Sequence, residues 1–478
     1  MTTNQKILKL LPFILILCLL CSTVMGQYLQ ISENRHFLVK DNGDPFFWLG
    51  DTAWELFHRL DRNDIDYYLQ NRSEKGFTVI QAVLLGEIDG LTTPNREGNL
   101  PLQEFDPTRP DSSYFALVDY TLEEAAELGL YVALLPTWGS HAEDIPHTVF
   151  DNMHIFTEEN AYQYGYWLGK RYRDSWNVVW VLGGDRPADT AQPVWEAMAH
   201  GLKEGCEGKQ LISYHPRGPG TSSVWLHEKE WLDFNMVQTG HFRPSDAVYN
   251  WITNDYQRSP VKPVINAEPA YEDIPQWFNP INPRYDAYQI RKLAYWSVFA
   301  GAFGHTYGNN NIWQMYRPEY RPMISAHVPW QEALDHPGAG QMKYLRTLLE
   351  SRPYLSRIPD QSLIIGENPA FASDRIQATR DGTPGANDAT YLMLYLPLYQ
   401  SFTVKTDVID AEELRVWWYS PVNGEAFSFG EITNEGEFSH SNWSGFLKDT
   451  QLGPDWVIVI EDASRQYPPP GSKIIGVE

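Results

Sequence analysis

Two short apolar runs in this chain each end on a carboxylate, and that pattern is the first sign of chemistry. Asn177-Val178-Val179-Trp180-Val181-Leu182-Gly183-Gly184-Asp185-Arg186-Pro187 is a continuous hydrophobic stretch that stops at two glycines and an acid, with a permanent cation beside it. Pro263-Val264-Ile265-Asn266-Ala267-Glu268-Pro269 repeats the plan. Such a run reads as a strand buried on both faces, as in a parallel sheet. The glycines permit a sharp turn and leave space beside the acid. One acid in this position could simply cap a helix or pair with an arginine. Two in the same context suggest paired carboxylates at the C-terminal rim of a (β/α)8 barrel. There one carboxyl group donates a proton while the other attacks or activates water, which is the chemistry of glycosidic bond cleavage. The donor must be kept protonated by burial or by its partner's charge, and the partner must stay ionised.

A pair of this kind needs a scaffold that gathers strand ends, and the hydrophobic patterning predicts one. Strands are predicted at 46–49, 78–85, 131–135, 177–182, 210–214, 234–239, 263–267 and 304–307. Helices are predicted at 63–75, 117–128, 158–172, 194–204, 245–256 and 290–298, with 340–355 closing the ring. In the first of them Ile65, Tyr68 and Leu69 share one helical face ahead of a stop at Gly76. These alternations predict an α/β fold, a (β/α)8 TIM barrel, with a hairpin over 28–45 closing one end. The loop 86–113, rich in Gly, Pro, Asn and Asp, is long enough to expect a functional role. After about residue 360 strand-like runs dominate, at 363–365, 390–396, 402–405, 414–419 and 456–460, with Pro421-Val422-Asn423-Gly424 as a hairpin turn. The predicted organisation is therefore a catalytic barrel over 27–360 packed against an antiparallel β-sandwich over 361–478.

In barrel enzymes the catalytic groups come from the C-terminal ends of strands. Collected here, those ends give Asp51, Trp54, Trp138, His141, Asp185, Arg186, His215, Arg217, Gln238, His241, Glu268, His305, Tyr307 and Trp313. Asp185 and Glu268 are the candidate catalytic pair, Asp51 and Glu272 are reserve carboxylates, and the remaining residues are candidate substrate contacts. Acids after the fourth and seventh strands face each other closely, so retention is expected, with Glu268 as nucleophile and Asp185 as acid/base. Three of the histidines could instead converge on a divalent cation, but no His-x-x-His, His-x-His or Cys pattern supports a metal site. A Gly-x-Ser-x-Gly stretch, the mark of a serine hydrolase, does not occur. Neither metal nor cofactor is expected. Arg186, Arg217 and Arg243 follow the fourth, fifth and sixth strands. Arg186 is expected to orient Asp185, and Arg217 or Arg243 to bind a sugar carboxylate in a bidentate fork. A non-catalytic carbohydrate-binding protein would keep the same cleft; the presence of both acids favours catalysis.

Composition narrows the partners. The formal net charge of -24 over 478 residues repels phosphate backbones, which argues against nucleic acid. Aromatic content is 14%, with 18 Trp and 27 Tyr, and flat side chains suit the apolar faces of sugar rings. Residues 1–26 read as a secretory signal, with Lys6 and Lys9 ahead of an apolar stretch over 10–20 and small residues before a cut that leaves Gln27 first. A lipid anchor at Cys21 is the alternative. Export to a periplasm or outside the cell is expected, as a monomer and without stable membrane insertion. Cleavage would leave Cys206 as the one cysteine, so no internal disulfide is available.

Several stretches together carry a family likeness. They are Trp48-Leu49-Gly50-Asp51-Thr52-Ala53-Trp54, Gly183-Gly184-Asp185-Arg186, Ser213-Tyr214-His215-Pro216-Arg217, Trp231-Leu232-Asp233-Phe234-Asn235-Met236, Glu268-Pro269-Ala270-Tyr271-Glu272 and Gly304-His305-Thr306-Tyr307-Gly308. With these the chain resembles the apiosidase-like glycoside hydrolases over about residues 30–355. That family includes endo-apiosidases that cut side chains of the pectin rhamnogalacturonan II. The resemblance implies a catalytic Asp after the fourth strand and a Glu after the seventh, which fall on Asp185 and Glu268. It adds Tyr271 to the candidate contacts. The tail resembles the β-sandwich that often follows such barrels, a module sometimes labelled collagen-binding.

Overall fold

A computed structural model describes residues 27–143, 153–242, 247–441 and 453–472. The expected signal over 1–26 and Arg243 lie outside the described residues. Among the described residues no helix is long and apolar enough to cross a membrane.

Three short antiparallel strands, β1 (Leu29–Ile31), β2 (Leu38–Lys40) and β3 (Pro45–Phe46), precede the barrel. The barrel strands are β4 (Trp48–Thr52), β5 (Val79–Val83), β6 (Tyr131–Leu135), β7 (Val178–Gly183), β8 (Ile212–His215), β10 (Asn235–Gln238), β11 (Val264–Glu268) and β12 (Gly304–Tyr307), and β9 (Gly220–Thr221) adds antiparallel to β10. The order β8-β7-β6-β5-β4-β12-β11-β10 is parallel throughout. Asp233 and Ser213 close the ring between β8 and β10: the Asp233 N–H donates to the Ile212 carbonyl at 2.8 Å and the Ser213 hydroxyl to the Phe234 carbonyl at 2.6 Å. The first barrel strand thus runs over 48–52 rather than 46–49. The reason is local: Pro45 and Phe46 are taken up by the antiparallel ladder to Val39 and Leu38. Asp51 consequently lies inside a strand and not in the loop after it.

The helices are α1 (Leu56–Arg59), α2 (Arg62–Glu74), α3 (Ser112–Glu127), α4 (Glu158–Arg171), α5 (Gln192–Gly205), α6 (Ser223–Leu226), α7 (Val248–Tyr256), α8 (Ala287–Phe299), α9 (Trp330–Ala333) and α10 (Pro337–Glu350). Their starts follow from capping chemistry. Asp61 and Asp111 accept the first free N–H groups of α2 and α3, and Thr157/Asn160 and Asp286/Gln289 form reciprocal capping boxes on α4 and α8.

The C-terminal unit is two antiparallel sheets. One has the order β13 (Ile358–Pro359), β15 (Gln377–Arg380), β16 (Tyr391–Leu396), β21 (Trp456–Asp462), β18 (Glu413–Tyr419), β19 (Ala426–Thr433). The other has the order β14 (Ile364–Ile365), β17 (Phe402–Lys405), β20 (Glu437–His440). Period-two alternation explains how this sandwich sits on the barrel. Leu392, Leu394, Leu396, Trp456, Ile458 and Ile460 fill the sandwich core, whereas Tyr391, Met393, Tyr395, Val457 and Val459 belong to the barrel's core cluster. The central sheet therefore buries both faces. Helix α8 lies between barrel and sheet, with Tyr295 stacked on Tyr395 at 4.9 Å and Arg291 paired to Asp455 at 2.7 Å.

Candidate active site

The strand-end sequence Gly183-Gly184-Asp185 turns through three consecutive left-handed residues, with φ of 86°, 110° and 53°. Gly183 and Gly184 are required twice over. A Cβ at Gly183 would stand 2.4 Å from the His215 carbonyl oxygen, and one at Gly184 2.8 Å from the Trp138 ring. Asp185 tolerates the left-handed region better than a branched residue would, and such backbone outliers concentrate at functional sites. The turn lifts Asp185 onto the floor of a cleft of about 300 Å³ at the C-terminal ends of the strands.

Glu268, the last residue of β11, faces Asp185 across that floor. One oxygen of each carboxyl group and a nitrogen of His215 all lie within 4.8 Å of one another. His215 Nε2 stands 3.3 Å from Glu268 and its Nδ1 3.7 Å from Asp185. His241 Nε2 contacts the other Glu268 oxygen at 3.0 Å, while its Nδ1 accepts the Tyr271 N–H at 3.3 Å. That second bond fixes the tautomer, so Nε2 carries the proton and donates to Glu268.

This arrangement biases the two acids oppositely. Burial in the cleft, then the nearby Glu268 charge, push the Asp185 carboxyl up to about 6. Its side chain is still 36% exposed toward the open cleft, where a bound substrate would cover it. Burial also works against ionisation of Glu268, but the contacts from His215 and His241 outweigh it and hold that carboxyl below the usual range. Burial likewise opposes protonation of His215, yet Glu268 and the Asp185 charge raise it overall. One acid is thus set to keep its proton and its neighbour to lose it.

Of the predicted contacts, Trp54, Trp138, Arg186, Arg217, Gln238, His241, Tyr271 and Trp313 line the cleft. The Trp54 indole N–H donates to the Tyr271 hydroxyl at 3.2 Å and its ring meets His215 edge-on at 5.3 Å. Arg217 is exposed at the rim. Arg186 does not grip the Asp185 carboxylate. It donates to the Asp185 backbone carbonyl at 2.8 Å and its Nε lies 3.3 Å from Glu143, an acid that carried no strand-end signal.

Six predicted residues stay out of the cleft lining: His215, buried behind the pair, and five whose contacts lie elsewhere. Asp51 and Tyr307 are register partners on adjacent parallel strands, so they share a face, and that face looks to the helices. Asp51 accepts from the Tyr68 hydroxyl at 2.6 Å and contacts Arg72 at 3.3 Å, both on α2. Tyr307 donates to Glu272 at 2.6 Å, and Glu272 also accepts the Gly338 N–H at the start of α10. His141 is buried against the Thr137 hydroxyl, and His305 is buried within β12. Burial pushes both imidazoles down to about 3, so each is neutral.

The cleft also holds a carboxyl group that sequence reasoning missed. Glu87 lines it from the loop after β5. Glu55 clamps that loop, accepting the Ile88 N–H at 3.1 Å, and a Cβ at Gly86 would meet the Glu55 carboxylate at 3.0 Å. Burial, then the Asp185 and Glu55 charges, raise Glu87 well above the ordinary carboxylate range, so it enters neutral and can donate a hydrogen bond. The length of the loop was the available signal.

Two carboxyl groups facing each other at the C-terminal rim of a parallel barrel are the arrangement that glycoside hydrolysis uses. Comparison with known proteins gives the family. The profile described as "Apiosidase-like, catalytic domain" matches residues 32–356, and the chain belongs to that family. A second profile, "Putative collagen-binding domain of a collagenase", matches residues 358–461. The chain is similar to a solved glycoside hydrolase family 5 structure from Bacteroides vulgatus ATCC 8482, at 33% identity and TM-score 0.84, covering 94% of this chain and 96% of that one. It is similar also to a second structure described as a glycoside hydrolase, at 34% identity and TM-score 0.83, covering 93% and 98%. No curated protein matches the chain.

Proposed function

We propose that the protein is an exported, monomeric glycoside hydrolase that cleaves glycosidic bonds in pectic polysaccharide with retention, using Asp185 and Glu268. The observation that carries the reading is the opposed bias of the pair around His215. Asp185 protonates the departing glycosidic oxygen as the Glu268 carboxylate attacks the anomeric carbon. Water, deprotonated by Asp185, then releases the sugar from Glu268. Carboxyl oxygens within 4.8 Å support this double displacement, because inversion needs about 6.5–9.5 Å to admit a water between the acids. The family likeness supports a pectic substrate, including apiosyl side chains. The apolar stretch over 10–20 supports export. A panel of defined plant-wall oligosaccharides assayed for reducing-sugar release tests the substrate class, and inactivity across every pectic member would overturn it.

The pH dependence follows from the same geometry. Turnover needs Glu268 ionised and Asp185 protonated. Activity is therefore retained as pH falls through the usual carboxylate range and lost as pH rises past about 6. The kcat/KM profile checks this, and an alkaline limb displaced upward by about two units or more would contradict the assignment of the acid.

Asp185, His215 and Glu268 also offer three atoms spaced to hold a divalent cation, which favours a metal-dependent hydrolase as the second reading. The carboxylate mechanism predicts full activity after exhaustive chelation; loss with chelator and recovery with added metal would favour the second reading.

Arg217, exposed at the cleft rim, is proposed to bind a uronic acid carboxylate. Arg217→Ala is expected to raise KM on an acidic oligosaccharide by about tenfold, in line with a charge-assisted hydrogen bond, and to leave KM on the carboxyl-reduced form unchanged. Equal effects on both would show the arginine to be structural.

A further inference from the structure

The loop after β11 is braced far more heavily than a connecting loop requires. Pro275 bridges Arg284, the Gln276 N–H donates to the Pro283 carbonyl at 3.0 Å, and the Asn282 amide donates to the Gln276 carbonyl at 2.9 Å. Arg284 ties the base of the loop to the Ser325 carbonyl at 2.7 Å. At the tip, Trp277 and Phe278 both adopt left-handed backbone, with φ of 61° and 56°. Bulky side chains avoid that region, and it persists only where the surroundings impose it. Here the Trp277 N–H is held by the His241 carbonyl at 3.2 Å and the Phe278 N–H by the Pro275 carbonyl at 2.9 Å.

The strained tip holds aromatic rings in the open. Trp277 is 50% exposed and Phe278 40% exposed, so the conformation does not serve to bury them. Phe242, in the loop after the neighbouring strand β10, sets its ring 5.6 Å from Trp277 and 5.7 Å from Phe278. Phe242 and Phe278 line the cleft, and the Phe278 ring lies 5.5 Å edge-on to His241, which donates to Glu268. The three rings are therefore continuous with the catalytic carboxylate through a single imidazole.

We propose that Trp277, Phe278 and Phe242 form a second sugar-binding subsite, which takes the ring next along the chain from the sugar held at Asp185 and Glu268. A pyranose or furanose ring offers a C–H face that packs on aromatic carbon, while its hydroxyls stay in water at the rim. Backbone strain fixes the rings before substrate arrives, so little ordering remains to be done on binding. The proposal rests on the glycosidase reading and adds to it a requirement for an extended substrate.

The test compares wild type with Trp277→Gly on a 4-nitrophenyl glycoside of the scissile sugar and on pectic oligosaccharides of increasing length ending in that sugar. Glycine accepts the left-handed backbone, so the variant is expected to fold with an unchanged or higher Tm while lacking the ring. The subsite predicts that kcat/KM on the oligosaccharides falls about tenfold or more, through KM, while the short glycoside is unaffected. Trp277→Phe should restore most of the loss. Equal loss on both substrates, or no loss at any length, would overturn the subsite and leave the glycosidase reading intact. Failure of wild type to cleave either substrate would remove that reading and the subsite with it.

Discussion

Asp185→Asn and Glu268→Gln are each expected to lower kcat by roughly 10³-fold or more while Tm stays close to wild type. The first removes the proton that the leaving oxygen takes up, and the second the charge that attacks the anomeric carbon. The two losses should differ in kind. With Asp185→Asn, an aryl glycoside whose leaving group needs no protonation should retain much of its first step, because Glu268 still attacks. The alkaline limb near pH 6 should disappear with it. With Glu268→Gln no substrate should be spared. Steady-state kinetics on activated and natural substrates check both, and either variant keeping more than about a tenth of wild-type kcat would sink the pair.

Asp51→Ala should act on stability instead. Asp51 and Arg72 are both fully buried, in contact at 3.3 Å, and the Tyr68 hydroxyl donates to the same carboxyl oxygen at 2.6 Å. Truncating the acid leaves the guanidinium without its charge partner between β4 and α2, at a cost of about 3–5 kcal/mol. The expected result is a Tm lower by several degrees and a reduced yield of folded protein, with kcat per folded molecule within a few-fold of wild type. Thermal melts and active-site-normalised rates check it. A large loss of kcat at unchanged Tm would return Asp51 to the catalytic candidates.

That contrast between Asp51 and Asp185 shows what a sequence can reveal here and why. The runs ending in Asp185 and Glu268 were legible because buried parallel strands are apolar throughout, and the residue that breaks the run marks the rim. The eighth strand, Gly304–Tyr307, has the predicted bounds. Asp51 falls inside its strand because the strand begins two residues later than the apolar run predicts, and nothing local says that Pro45 and Phe46 pair with a preceding hairpin. Strand ends also do not reveal facing, so Tyr307 and Asp51 passed as rim residues although their common face meets α2 and, through Glu272, α10. Glu87 was invisible for a different reason. Its carboxyl group reaches the cleft from a loop whose path depends on the close approach of Gly86 and Ile88 to the buried Glu55, residues distant in sequence and adjacent only in the fold. Trp277 and Phe278 gave no sign at all, because left-handed backbone at bulky residues has no composition signature.

The most direct test of the account is to trap the intermediate. Once an oligosaccharide screen has identified the scissile sugar, its fluorinated glycoside with a good leaving group should form a covalent adduct that accumulates as its hydrolysis slows. Mass spectrometry of the digested protein is predicted to place one sugar on the peptide containing Glu268, with labelling blocked in Glu268→Gln. A sugar on any other residue, or continued turnover of natural substrate by Glu268→Gln, would contradict it.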